Sequence, residues 1–349
     1  GYSYQFQNFG KTSNRGVELS LNFDVINKGD FRFNIGAIYN YNRNKLDELP
    51  NADQYLYSSY WGSSSLVPTN DYMFVEGKAI GLVRGFVSEG FYTVNDFRYE
   101  NGQYILKEGI PDITKALTAT YMHPFNIPNG QTAFPGAAKF RDVNNSGTVD
   151  LDDATCLGEV MPRHTGSFQL NFNYKNFDLS SNFNWTAGGK VYNVAAMINA
   201  SGQEFDGIGA QRTSWVADTY KVYNVNSSGD LYAVTDPNEL NALNANAKYH
   251  LPYHQSGITS SEWLEDGSYL RLQTLTLGYT LPHTVLNKIH IEKLRIYLTA
   301  TNLFTITGYS GIDPEVNATP TGQSGFYSNL RVFPTLNMDF GTYPRARTF

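Results

Sequence analysis

The chain has 349 residues and a formal net charge of -6, with a pI near 5.5. This acidic balance argues against a nucleic-acid partner, which would want a basic face. No apolar run reaches the length of a transmembrane helix. Mean hydropathy is -0.38, yet 15% of the residues are aromatic. A membrane β-barrel produces that pairing, because lipid-facing apolar residues alternate with polar ones and aromatic girdles mark both interfaces.

Residues 15–27 alternate strictly. Val17, Leu19, Leu21, Phe23 and Val25 face one way, and Glu18, Ser20, Asn22 and Asp24 face the other. A tight turn follows at Asn27-Lys28-Gly29-Asp30. The alternation then resumes over 31–42, with Phe31, Phe33, Ile35, Ala37, Tyr39 and Tyr41 on one face. Each run is long enough to cross a bilayer at a tilt. Residues 166–186 repeat the pattern around a turn at Asn176, with Ser181 as its weak position. A third pair lies at 268–281 and 293–304. In its first strand the phase flips near Gln273-Thr274, which predicts a β-bulge. Between the pairs, residues 45–76, 93–165 and 199–262 read as long irregular loops rich in Asn, Gly, Pro, Tyr and Asp. Short turns on one side and long loops on the other are the asymmetry of an outer-membrane barrel. No composition break marks a second domain.

Residues 142–153 have the spacing of an EF-hand-type calcium loop. Asp142, Asn144 and Ser146 occupy positions one, three and five, with Gly147 at the sharp turn. Thr148 offers its carbonyl at position seven, and Asp150 and Asp153 stand at nine and twelve. Ser146 replaces an acid and Asp153 replaces the bidentate Glu, which weakens the expected site. The competing reading is an Asx-rich turn without metal.

The remaining chemistry is sparse. The lone Cys156 forms no internal disulfide and reads as a small, partly buried thiol. Of His123, His164, His250, His254, His283 and His290, only His250 and His254 have ligand-like spacing, and Pro252 lies between them. Tyr55, Tyr57, Tyr60 and Trp61 offer rings for stacking on sugars, but an interface belt or loop packing is the more common fate. No nucleophile elbow, zinc-protease motif or phosphate loop occurs, so the chain is read as no enzyme.

Several ordered segments carry a family resemblance. Asn14-Arg15-Gly16-Val17-Glu18-Leu19 is similar to a strand of the SusC/RagA-type TonB-dependent transporters of Bacteroidetes. So are Pro135-Gly136 with Phe140-Arg141-Asp142-Val143-Asn144 running on to Asp153 and Leu157-Gly158, and the segment 263–282. Thr301-Asn302-Leu303-Phe304 through Glu315 and the closing Tyr343-Pro344-Arg345-Ala346-Arg347-Thr348-Phe349 complete the set.

The resemblance implies an all-β fold, a transmembrane antiparallel β-barrel of 22 strands with long extracellular loops. Residues 1–349 would form part of its C-terminal portion, without the N-terminal plug and TonB box. The chain starts at Gly1 without Met, and 343–349 do not alternate as a last strand should, so both ends are expected to be incomplete. Two open edges also do not persist in lipid. By the same resemblance the protein imports an oligosaccharide or peptide across the bacterial outer membrane. A SusD-like surface lipoprotein would cap it and TonB would supply energy. The alternatives are a surface adhesin or glycan-binding protein without transport, and a secreted glycan hydrolase. Clean aqueous solubility would distinguish both from a barrel.

Overall fold

The computed structural model describes residues 10–50, 53–58, 67–118, 123–201, 217–251, 257–287, 290–316, 338–339 and 345–349. Six long strands form its largest sheet: β1 (Lys11–Lys28), β2 (Phe31–Glu48), β3 (His164–Tyr174), β4 (Phe177–Ala187), β5 (Tyr269–Thr280) and β6 (Arg295–Thr307). They lie side by side in chain order, and every pairing is antiparallel. The sheet is open, with β1 and β6 at its edges.

The alternating segments are strands, as expected, but the first two are longer than the apolar pattern suggests, at 18 residues each. The connections segregate by end. Gly29, at φ 60°, turns β1 into β2, and Lys175, at φ 50°, turns β3 into β4. The Lys175 amide donates to the Asp30 carbonyl at 3.0 Å and the Thr280 amide to the Asn176 carbonyl at 2.9 Å, so these turns lie together. The β5–β6 connection, at the same end, is longer and carries a helical turn at His283–Leu286.

The phase flip in β5 is a bulge. Gln273 has no partner in either neighbouring register. Its Oε1 accepts from Asn184 Nδ2 at 2.7 Å, which holds the extra residue on the polar face while Leu272 and Leu275 both stay on the apolar one.

The long connections are not irregular loops. Residues 45–48 belong to β2. Thr155–Glu159, Leu82–Gly85, Tyr72–Val75 and Gln54–Tyr57 form a four-stranded sheet in that order. Beyond it lies a core drawn from two separate connections, with Phe86, Tyr92, Tyr104, Ile113, Leu117, Phe134 and Phe140 from one and Tyr220, Val222 and Leu240 from the other. Tyr104 donates to the Thr235 carbonyl at 2.8 Å, which links them. Asp112 accepts from the amides of Ile113, Thr132 and Ala133, closing the chain around its carboxylate. Each fully buried Phe or Ile contributes about 1.5–3 kcal/mol, so this core sustains long connections that the wall itself does not cover. Period-based reading missed it because its residues follow no single repeat.

Gly136 sits at the seam of this core. Its φ is 92°, and a Cβ there would lie 2.4 Å from Tyr220 Cδ1. Gly136→Ala is therefore expected to destabilise the loop core by about 2–4 kcal/mol. Proteolysis within 90–140 should accelerate while the strands of the large sheet stay protected.

Candidate functional site

Register turns the alternation of single strands into two continuous faces. One row runs Leu19, Tyr39, Gly166, Trp185, Leu270 and Ile306 across all six strands. Another runs Phe23, Ile35, Leu170, Ser181, Leu275 and Ala300. The intervening row on the opposite face reads Asn22, Gly36, Gln169, Asn182, Thr274 and Thr301.

The apolar face is open. Val17 is 63% exposed, Phe23 55% and Leu298 63%. A patch that spans six strands is far larger than the apolar patches soluble monomers expose, and marks contact with lipid or protein. Aromatic rows bound it. At the turn end Phe31 meets Tyr174 at 6.4 Å and Phe177 meets Tyr279 at 4.6 Å. At the loop end Tyr39 stacks on Trp185 at 6.1 Å, and its hydroxyl bonds His164 Nδ1 at 2.8 Å. Gly166 lies between those two rings. A Cβ there would lie 2.7 Å from Trp185, so its bareness makes room for the stack. From Phe31 to Tyr41 the distance along the strand corresponds to about 25 Å of height at about 3.3 Å per residue and a tilt near 40°. That matches the apolar band of a membrane barrel.

The polar face is built mainly from amides and hydroxyls. Thr276 and Thr299 share a hydrogen bond at 3.0 Å, and Asn34 donates to Asp24 at 3.1 Å. Asp178 of β4 reaches across Gly278 of β5 to Arg295 of β6 with bonds of 3.0 and 2.5 Å, where a side chain on Gly278 would collide with both. Such a face can hydrogen-bond a neutral polar ligand repeatedly without a strong charge preference.

At the loop end of this face stands Arg271, 2% exposed. Its guanidinium bonds Thr305 Oγ1 at 3.0 Å, Asp313 at 2.5 Å and Glu315 at 3.1 Å, and Glu315 also takes Arg345 at 2.5 Å. The network draws the chain after β6 and the segment 345–349 onto the wall. Thr348 bridges to Thr301 on the open edge of β6. Arg271 lay within a family-like segment, but nothing local to it signals partners more than thirty residues away.

The calcium-like residues lie in the loop core. Val149, fully buried, packs the loop against it. The side-chain oxygens close on the loop's own backbone. Asp142 accepts from the amides of Ser146 and Gly147, and Asn144 from that of Ser146. Asp153 is buried and accepts from Val143, Asn144 and Asp150. Ser146 Oγ donates to the Thr148 carbonyl at 2.9 Å, and Asp150 caps the turn at Leu151–Asp153. Asp142, Asp150 and Asp153 do not converge on one point: no group of three His, Cys, Asp or Glu side chains fit to hold a metal occurs among the described residues.

Other candidates resolve into packing. Tyr55 and Tyr57 lie against Phe74, while Tyr60 and Trp61 fall outside the described residues. His254 and Tyr343 also fall outside them. His250 is buried, with Nδ1 on the Leu251 carbonyl and Nε2 3.7 Å from Glu262. Burial pushes the Glu262 carboxyl up, and His250 partly offsets that shift. Cys156 is exposed rather than partly buried, on the edge strand Thr155–Glu159. No helix among the described residues is long and apolar enough to cross a membrane.

No family model matches the chain. Full-length similarity is nevertheless found. The chain is 28% identical over all its residues to TonB-dependent receptor P3 of Formosa agariphila, covering 29% of that protein. It is 24% identical over 98% of its length to TonB-dependent receptor SusC of Bacteroides thetaiotaomicron, covering 26% of it. The chain thus spans under a third of the curated relatives it matches. In fold it resembles the RagAB peptide transporter, with a TM-score of 0.60 and 19% identity over 98% of this chain and 29% of that one. The observed antiparallel sheet is therefore that of a section of such a barrel.

Replacing Arg271 by Met should strand Asp313, 5% exposed, without its counter-charge. Losing one partner of a buried pair costs about 3–5 kcal/mol. The full-length variant is expected to have a lower Tm than wild type, and Arg271→Met/Asp313→Leu should recover part of the loss.

Proposed function

We propose, on the premise that this chain is homologous to a section of the TonB-dependent receptors, SusC among them, that it forms barrel wall and external loops of an outer-membrane nutrient importer. The observation that carries this reading is the one-sided apolar face, continuous across six strands and closed above and below by aromatic rows. Its opposite face would line the lumen, where amides and hydroxyls offer hydrogen bonds to an oligosaccharide or a peptide. The loop core stands at the end where a SusD-like lipoprotein would dock. TonB would act through a plug supplied by the rest of the receptor. We assign the chain no catalytic role.

The test uses the full-length receptor. It should fractionate with the outer membrane, run with heat-dependent mobility in detergent, and be required together with TonB for uptake of an oligosaccharide or peptide. Clean solubility in aqueous buffer would sink the reading.

Calcium at 142–153 is a separate proposal, supported by the spacing of Asp142, Asn144 and Ser146 around Gly147. Asp142→Ala is expected to lower the Tm of the full-length protein more in calcium than in chelator. An equal loss in both would assign the loop to a turn held by its own amides.

A further inference from the structure

We propose that Arg15 and Arg43 clamp a phosphate of a lipid headgroup in the leaflet on the long-loop side of the wall. The proposal rests on the membrane reading above, though not on import. The two arginines are direct partners on β1 and β2, in unbroken register with Val17 and Tyr41, so both side chains leave the apolar face. They stand one side-chain row beyond Tyr41 and His164, which share the next row toward the turns. Two residues of tilted strand place them about 5 Å outside the aromatic row. That is headgroup depth, where a guanidinium avoids the cost of hydrocarbon and meets anionic lipid.

Both side chains are exposed, and among the described residues neither has an ion pair, hydrogen bond or ring contact. The acids in this corner are engaged elsewhere. Asp47 takes Lys45 at 3.5 Å, Glu48 takes Lys11 at 3.5 Å and Glu159 takes Arg163 at 2.6 Å. Like charges directly opposite on paired strands repel, with Cα atoms about 4.5–5.5 Å apart. A tetrahedral phosphate reverses the sign of that contact, since its oxygens accept from both guanidinium forks. The site opens onto the lipid face rather than into the lumen, so a phosphate tethered in the bilayer fits it better than a free one.

The experiment reconstitutes full-length receptor in nanodiscs doped with phosphatidic acid, or with diacylglycerol carrying the same chains. Retained lipid is counted by native mass spectrometry. Wild type should retain at least about tenfold more phosphatidic acid than R15Q/R43Q, as expected when two charge-assisted contacts are lost. R15K/R43K should retain an intermediate amount, and diacylglycerol should be retained by none. Equal retention by wild type and R15Q/R43Q would overturn the proposal. So would displacement of the lipid by excess inorganic phosphate, which would assign the pair to a free anion. Heat-dependent mobility checks folding, and the single variants R15Q and R43Q carry the comparison if the double variant loses it. Loss of that mobility in wild type would mean the membrane reading has failed, whereas absent nutrient uptake with intact lipid retention would count against import alone.

Discussion

A strand in contact with lipid has to satisfy its backbone amides and carbonyls sideways, because hydrocarbon offers no partner. Under the membrane reading proposed above, the wall follows from that requirement combined with the period of two. Once β1 to β6 pair in register, the side-chain alternation of each strand adds up to two coherent faces, and a slip of one residue would invert a strand completely. The Gln273 bulge illustrates how strictly this is held. An extra residue enters β5, its side chain is taken up by Asn184 on the polar face, and β6 adjusts opposite it with Asn302 at φ 51°. The apolar row resumes at Leu275 without a break.

The same constraint explains why packing is divided so unevenly. The wall shows its apolar side chains outward, so it has little core of its own. The fully buried aromatics instead lie in the long connections, where Tyr92, Tyr104 and Phe86 pack as in a water-soluble domain. One chain thus carries two kinds of packing, an open apolar face on the sheet and a closed core in the connections. Within the wall, ion pairs fix strands to one another and to the chain that follows them. Arg271 fixes the chain beyond β6 to the polar face, and its low exposure makes that attachment sensitive to loss of either partner. Asp178 and Arg295 similarly bind the outer strands of the β4–β6 trio over a bare Gly278.

Legibility in the sequence tracks periodicity. Strand existence, the two tight turns and the bulge were readable because alternation is a local property of residues such as Val17 to Phe23. The lengths of β1 and β2 were not. Beyond the aromatic row the apolar face becomes polar, with Ser13, Arg15, Arg43 and Lys45 in place of Val and Tyr, so the pattern fades while the hydrogen-bonded ladder continues. The loop core was invisible for a related reason: Phe134, Tyr220 and Leu240 are distant in sequence and share no repeat. The loop at 142–153 was legible as a spacing, but spacing does not say where a carboxylate points, and Asp153 points at its own loop's amides.

The sequence by itself determined which residues face the two sides of a strand, because side-chain direction in extended backbone depends on parity alone. It also carried the segments that resemble a transporter family. Only the tertiary structure decided which hairpins stand side by side, that Arg15 and Arg43 meet across a pair, and that two separate connections share a core. Those outcomes depend on contacts between residues far apart in the chain, and local sequence does not encode distance in space.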